Sequence, residues 1–455
     1  MPKQIVLGAF EIMAPTFLTN AWSHPDAHPE RFTDLASWQQ LARELEDGGF
    51  DFLFFAEALG YPMDDNGVAS PTAIREGVQF PVMEPLSIVT GLAAVTDRLG
   101  YVVTTSTTAE RPFTNARRFS TVDHLTNGRI GWNIVTSDNA QATMKLLGGN
   151  GVIPHDERYA RADEFVDLSM KLWEGSWEDG ALVMDKATRT MVDQDRLHEV
   201  HYQGEYFALD GYYPIPPSPQ RTPTLFQAGA SPRGRNFAAR IAECIFIQER
   251  TIEAGAALVA DLRERARLAG RDGGDVNIVN NLSVIVADTA EEAQEKRRAL
   301  TTTPTREAMA ALFLGWSGVD LLQFDPAISL AEVKTEVGQS LLKQYQDPNL
   351  TVGEVMDHLR DTMGGYKVTG TPEQVADEIV EIVEGTDVDG FLFDHGAGGV
   401  EAYRPFLHEV MPLLRERGIL PEEPRRGTLR EMLTGGGSRL PDSHPGATFR
   451  VPSAT

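Results

Sequence analysis

Short apolar runs rich in branched and aromatic residues recur along the chain, bounded by turn residues and alternating with helical patterns. Eight stand out: "QIVLGAF" (4–10), "FDFLFFAE" (50–57), "LGYVVTTST" (99–107), "RIGWNIVTS" (129–137), "TPTLFQAG" (222–229), "ECIFIQ" (243–248), "VNIVNNLSVIVAD" (276–288) and "DGFLFDH" (389–395). Such runs suit a pleated, buried backbone and predict strands. Helical segments fall between most of them. The segment 35–49 ends on Gly48-Gly49, 84–100 closes on Gly100, and 114–129 ends in an Asn127-Gly128 turn. Over 156–176, Tyr159, Ala162, Val166, Met170 and Trp173 recur at helical spacing behind an acidic first turn. Segment 371–385 opens with Thr371 as N-cap and Pro372 at the first helical position.

Near-continuous apolar strands separated by amphipathic helices predict a parallel sheet buried on both faces. Eight such units predict an α/β fold closed into a (β/α)8 TIM barrel with insertion segments. An open doubly wound sheet would carry a Gly-rich turn after its first strand, and "VLGAFEIMAP" has none. The expected organisation is one barrel domain over 1–420, with insertions near 177–221 and 289–369. The first insertion holds the Pro-rich "YYPIPPSPQ"; the second reads as further helices. The tail, 421–455, is rich in Gly, Pro and Arg with little hydrophobic pattern, and is expected to wrap a partner or stay mobile.

A length of 455 residues is compatible with one large barrel, since such domains run from about 200 to over 400 residues. The net charge of −25 opposes binding to nucleic acid or to anionic membranes. The N-terminal stretch does not read as a signal peptide, and no apolar run approaches the roughly 20 residues of a membrane span. A cytoplasmic enzyme or binding protein is the expected class. The lone Cys244 lies in an apolar run and reads as a buried, inert thiol. Metal chemistry is not expected: there is no HExxH, and His198 and His201 sit in an insertion without matching acidic partners. A Gly-x-Ser-x-Gly elbow and a P-loop are absent too.

In barrels of this kind function sits at the C-terminal ends of the strands. There the chain places Glu57, the polar run "TTSTT" (Thr104 to Thr108) and the junction "FQAGASPRGR", while Asn133 sits in the middle of the strand 129–137. In that junction Ser231 is a good N-cap and Pro232 fits the first helical position. A helix start exposes N–H groups with partial positive charge, a ready phosphate site, and Gly229 would let a ligand approach. The same features also describe a plain structural cap, with Arg233 and Arg235 either balancing a phosphate or facing solvent. His155 and Tyr159, four apart, either reach a ligand together or serve as cap and core. Thr104 and Asn133 read as ligand contacts or as internal polar packing. Trp22, His24 and His28, after the first strand, line a pocket or pack locally.

Taken together, "FDFLFFAEALG", "LGYVVTTSTTAERPFTNARRFSTVDHLTNGRIGWNIVTS", "PHDERYARADEFVDLSMKLWEGSWEDGALVMDKAT", "VHYQGEYFAL", "PPSPQRTPTLFQAGASPRGRNFAARIAECIF" and "GTPEQVADEIV" resemble the flavin-dependent monooxygenases of the nitrilotriacetate / dibenzothiophene-sulfone monooxygenase group, in the bacterial-luciferase-like superfamily. The resemblance covers nearly the whole chain, in order. It implies a barrel that binds reduced FMN (FMNH2) delivered by a separate NAD(P)H:FMN reductase. Oxygen would react there to give a peroxyflavin that oxygenates a small organic substrate. By position, Thr104, Asn133, His155, Tyr159 and Ser231 match the family's flavin contacts. Tyr159 and Ser231 would lie at the phosphate, the other three nearer the ring and ribityl chain. Glu57 stands where many relatives have aspartate. The expected substrate is a neutral compound, aromatic and sulfur- or halogen-bearing, as in xenobiotic degradation. Alternatives are an aminopolycarboxylate monooxygenase, a deazaflavin-dependent dehydrogenase and a non-catalytic flavin-binding protein. Family likeness also implies a homodimer or homotetramer.

Overall fold

The structure is a computed structural model that describes all residues except 1–2, 16–19, 65, 137–139, 150, 332, 334–341, 343–344, 346, 362–363, 398 and 452–455. The predicted end of the fourth strand at Ser137, part of the second insertion and the last four tail residues lie outside the described residues.

All eight predicted runs contain strands: β1 (Val6–Ile12), β2 (Phe52–Ala56), β3 (Gly100–Ser106), β4 (Ile130–Val135), β5 (Thr224–Gln227), β6 (Cys244–Ile247), β7 (Asn277–Val286) and β8 (Gly390–Asp394). They are parallel and pair in chain order, and β8 returns to β1 with Val6 opposite Gly390, so the sheet closes into a (β/α)8 barrel. A further strand, Tyr366–Gly370, adds in parallel to the outer half of β7. The surrounding helices include α1 (Leu35–Gly48), α2 (Leu86–Ala93), α3 (Pro112–Leu125), α4 (His155–Gly175), α5 (Pro232–Ile241), α6 (Ile252–Leu268), α7 (Ala290–Thr302), α8 (Arg306–Ser317), α9 (Val352–Asp361), α10 (Pro372–Thr386), α11 (Val400–Pro405) and α12 (Leu429–Thr434). Helix α2 stops well short of the predicted Gly100. The Glu46 carboxylate accepts the N–H groups of Asp97, Arg98 and Leu99 and pins that connection as a turn.

Alternation along each strand splits the core in two. Leu7 and Ala9 of β1 face the helices, whereas Val6, Phe10 and Ile12 face the barrel interior. Inside, Phe10 stacks on Phe54 with ring centroids 5.2 Å apart, and Phe52 meets Phe226 edge-on at 5.4 Å. These rings form an apolar floor below the mouth.

The tail corrects the expectation of a mobile or partner-wrapping segment. Leu429, Met432 and Leu433 of α12 join the interior cluster. They enter at the N-terminal end: Leu429 fills the space over Gly100 and Gly131, at the starts of β3 and β4. Arg430, 1% exposed, pairs with the equally buried Glu243, its Nε 2.5 Å from Oε1. Its Nη2 also donates to the carbonyl of Thr222. Sparse apolar residues suffice here because only one face of a short helix is needed to plug the barrel.

The insertions have their own structure. Residues 177–221 form two antiparallel hairpins, Leu182–Asp185 with Thr190–Val192 and Glu199–Gln203 with Ala208–Tyr212. Within 289–369, α8 and α9 build a second apolar cluster with Met309, Phe313, Val352 and Val355, which packs on Ala73 and Val78 of the loop after β2. No helix among the described residues is long and apolar enough to cross a membrane.

Candidate active site

The inner wall of the mouth is polar at β3 and β4. The register of β3 and β4 sets Thr104 beside Asn133, and Asn133 Nδ2 donates to Thr104 Oγ1 at 2.9 Å. Both are buried. Asn133 Oδ1 has no hydrogen-bond partner among the described residues. An unsatisfied buried acceptor costs roughly 1–3 kcal/mol, so this oxygen creates a demand for a donor inside the barrel. Three others of the run are packing: Thr105 Oγ1 donates to Asn115 Oδ1, Thr107 Oγ1 to the Val135 carbonyl and Thr108 Oγ1 to the Thr136 carbonyl.

The next strand supplies the second polar group. Ser231 caps α5, its Oγ accepting the Gly234 N–H at 3.0 Å, with Pro232 as the first helical residue. Gly229 serves a different purpose from the one expected. A Cβ there would lie 2.5 Å from the Gly234 carbonyl carbon, so its bareness lets β5 close onto the start of α5. Gly234 in turn makes room for the buried Tyr159: its own Cβ would fall 2.6 Å from the Tyr159 hydroxyl and 3.2 Å from Ser231 Oγ. Burial pushes the Tyr159 phenol above its usual pKa, outweighing Ser231 and Gln227 beside it, so the group stays a neutral O–H donor. The His155 ring lies 5.1 Å from that of Tyr159, and its Nδ1 is 2.9 Å from Asp156 Oδ1.

The arginines of the junction are half-buried and held in ion pairs, so they are not open counter-charges. Arg233 pairs with Asp163 and lies over the Tyr159 ring, 5.7 Å from its centroid. Arg235 reaches Asp261 at 3.2 Å and the Ala230 carbonyl at 3.0 Å. Sequence reasoning missed Arg158, which is buried beside Tyr159. The available signal was a charge on the face that Ala162 and Val166 bury.

The structure thus joins Thr104 to Asn133, and His155 to Tyr159 and Ser231, on adjacent strands and the helices after them. Glu57 follows β2 at the rim, half-buried, two strands away from Asn133. Trp22 and His28 line a cavity at the ends of β1 and β8; His24 does not. His198 and His201 do have acidic partners, contrary to expectation: His198 Nε2 is 2.7 Å from Glu178 Oε1, and His201 meets Asp210. These are separate surface pairs, since no group of three or more His, Cys, Asp or Glu among the described residues could hold a metal ion. Cys244 is buried inside the barrel, where burial raises its thiol pKa well above the usual range.

A closed parallel barrel with polar groups gathered at neighbouring strand ends, one of them a helix start shared with a buried tyrosine, has the place and the donors that a barrel enzyme uses to bind a ligand. The pattern of the family described as luciferase-like monooxygenase matches residues 13–389, and the chain belongs to that family. It is a flavin-dependent monooxygenase, and the cofactor of the family is reduced FMN. The chain is 38% identical to a long-chain alkane monooxygenase of Geobacillus thermodenitrificans over 99% of both chains. It is 37% identical to a dimethyl-sulfide monooxygenase of Hyphomicrobium sulfonivorans over 99% of this chain and 94% of the relative. A crystal structure of a riboflavin lyase with modified FMN and riboflavin superposes with a TM-score of 0.93 at 38% identity, covering 99% of this chain and 100% of that one.

Proposed function

We propose that this chain is the oxygenase of a two-component system: it takes reduced FMN from a separate NAD(P)H-dependent reductase and uses O2 to oxygenate a small neutral organic molecule. The observation that carries the reading is the convergence of Tyr159 Oη, Ser231 Oγ and the start of α5 around Gly234. Tyr159 would donate to a phosphate oxygen, Ser231 would hold the helix start in place beside it, and the α5 N-terminus would add partial positive charge. Asn133 Oδ1, one strand away, would accept from an N–H of the flavin ring, meeting the demand left in the barrel. Thr104 orients that carboxamide, and His155 fixes the face of Tyr159. Glu57 would contact the ring or the substrate from the rim.

Reduced FMN supplies the electrons that activate O2. The protein's part is to bind, orient and keep water away. The apolar floor of Phe10, Phe54 and Phe226 excludes water from below, and the apolar packing of α8 on the loop after β2 covers one side. A neutral substrate is favoured by the net charge of −25, which disfavours a polyanion, and by the two relatives at 37–38% identity, named for an alkane and for dimethyl sulfide; relatives at 32–33% identity are named for the anionic N-acetyl-S-(2-succino)cysteine and nitrilotriacetate.

The test is anaerobic titration with reduced FMN, followed by oxygen uptake with a purified flavin reductase and a panel of an n-alkane, dimethyl sulfide, riboflavin and nitrilotriacetate. Binding of reduced FMN and product-linked uptake with a neutral member are expected. No binding of reduced FMN overturns the oxygenase reading; turnover of nitrilotriacetate alone overturns the neutral substrate.

A further inference from the structure

A buried polar cluster lies on the helix-facing side of β1, outside the barrel interior. Glu11 Oε1 accepts from His395 Nε2 at 3.0 Å and from the Tyr403 hydroxyl at 2.9 Å. Glu11 is 6% exposed and His395 5%. Burial opposes a charged imidazole, but Glu11 opposite it, with Asp394 next in the chain, outweighs this and raises the His395 pKa. Both hydrogen bonds to Glu11 among the described residues end on Oε1. Glu11 also lines a cavity of about 110 Å³ between the loop after β1 and the segment after β8. Its second carboxylate oxygen therefore faces that space. The remaining walls are mainly apolar, with Trp22, Phe32, Trp38 and Val400 among them.

The charges around this cavity are already matched. His395 balances Glu11, and Arg31 holds Glu401 at 3.0 Å. A charged ligand would enter uncompensated, and a purely apolar one would leave the Glu11 oxygen without a donor. We infer that this cavity is a binding site for a neutral organic molecule with an apolar, ring-sized body and one hydrogen-bond donor, which meets Glu11 Oε2 while the body lies between Trp22, Phe32 and Trp38. The site is separate from the cradle at Tyr159 and Ser231, which lies across the barrel at the end of β5.

Calorimetric titration of the flavin-free protein with indole, and with indene as the same shape lacking the N–H, tests this. Indole should bind about tenfold more tightly, equivalent to about 1.4 kcal/mol. Ala27→Leu, which fills the cavity from the loop after β1, should abolish binding of both while the melting temperature and reduced-FMN affinity hold. Equal affinities for the two probes overturn the donor requirement. No binding of indole to the unaltered protein, or unchanged binding to a folded Ala27→Leu variant, overturns the site. Neither result bears on the flavin reading, which is read from reduced-FMN binding alone.

Discussion

The Tyr159 hydroxyl occupies the space that a side chain on Gly234 would take: a Cβ there would lie 2.6 Å away from it. Helix α5 keeps a glycine in its first turn, against helix propensity, because the tyrosine of α4 needs that room. Gly234→Ala should therefore displace the hydroxyl. The expected loss of reduced-FMN affinity is about tenfold, since hydrogen bonds to charged groups contribute roughly 1.5–3 kcal/mol. In a Tyr159→Phe background the same substitution should cost little further affinity, because the displaced group is already gone. Additive losses in anaerobic titrations of the two single variants and the double variant would remove Gly234 from this role.

Ser231→Ala removes the cap of α5. Caps contribute about 1 kcal/mol, so a small drop in melting temperature is expected. Reduced-FMN affinity should fall about tenfold or more when Ser231→Ala is combined with Tyr159→Phe. An unchanged dissociation constant for the double variant would sink the phosphate assignment.

Arg430→Met should destabilise the protein by about 3–5 kcal/mol, because it leaves Glu243 buried and unpaired. Adding Glu243→Leu should recover much of that loss. Denaturant unfolding of the two variants checks this. A double variant no more stable than the single one would show that the α12 plug depends on the ion pair as a whole.

His444 gives the tail a pH signature. Burial, with the Arg271 charge nearby, holds its pKa down at about 4, below the ordinary 6.5. Its Nε2 is hydrogen-bonded to the Ile241 carbonyl, and its Nδ1 accepts the Gly446 N–H. The unfolded chain takes up this proton below pH 6.5, the folded protein only near pH 4. The contribution is thus fully present above pH 6.5 and is lost as the pH falls towards 4, by about 3 kcal/mol in all. His444→Gln should flatten that part of the stability profile. A slope between pH 6.5 and 4 that is the same in both proteins would contradict the assignment.

The barrel was legible because its strands are short, apolar and β-branched, and each lies between turn residues that stop it. Buried on both faces, such runs can only be parallel strands with helices outside. Capping chemistry was legible as well: Thr371, Pro372, Ser231 and Pro232 act through their own backbone neighbours, so their positions carry the information. Spacing put His155 and Tyr159 on one helical face for the same reason.

Other features depend on residues far apart in the chain. The tail looked unpatterned because its plug uses three apolar residues, and its anchor, Arg430, finds Glu243 nearly two hundred positions earlier. Sequence could not tell whether Arg233 and Arg235 were open charges, because the acids that hold them, Asp163 and Asp261, come from other helices. Nor could it join Glu11 to His395 and Tyr403, which meet only because β8 closes beside β1. Local sequence thus determined the strands, the caps and the candidate phosphate site. Closure of the barrel decided which polar groups are matched and which, like the buried Asn133 Oδ1, are left without a partner among the described residues.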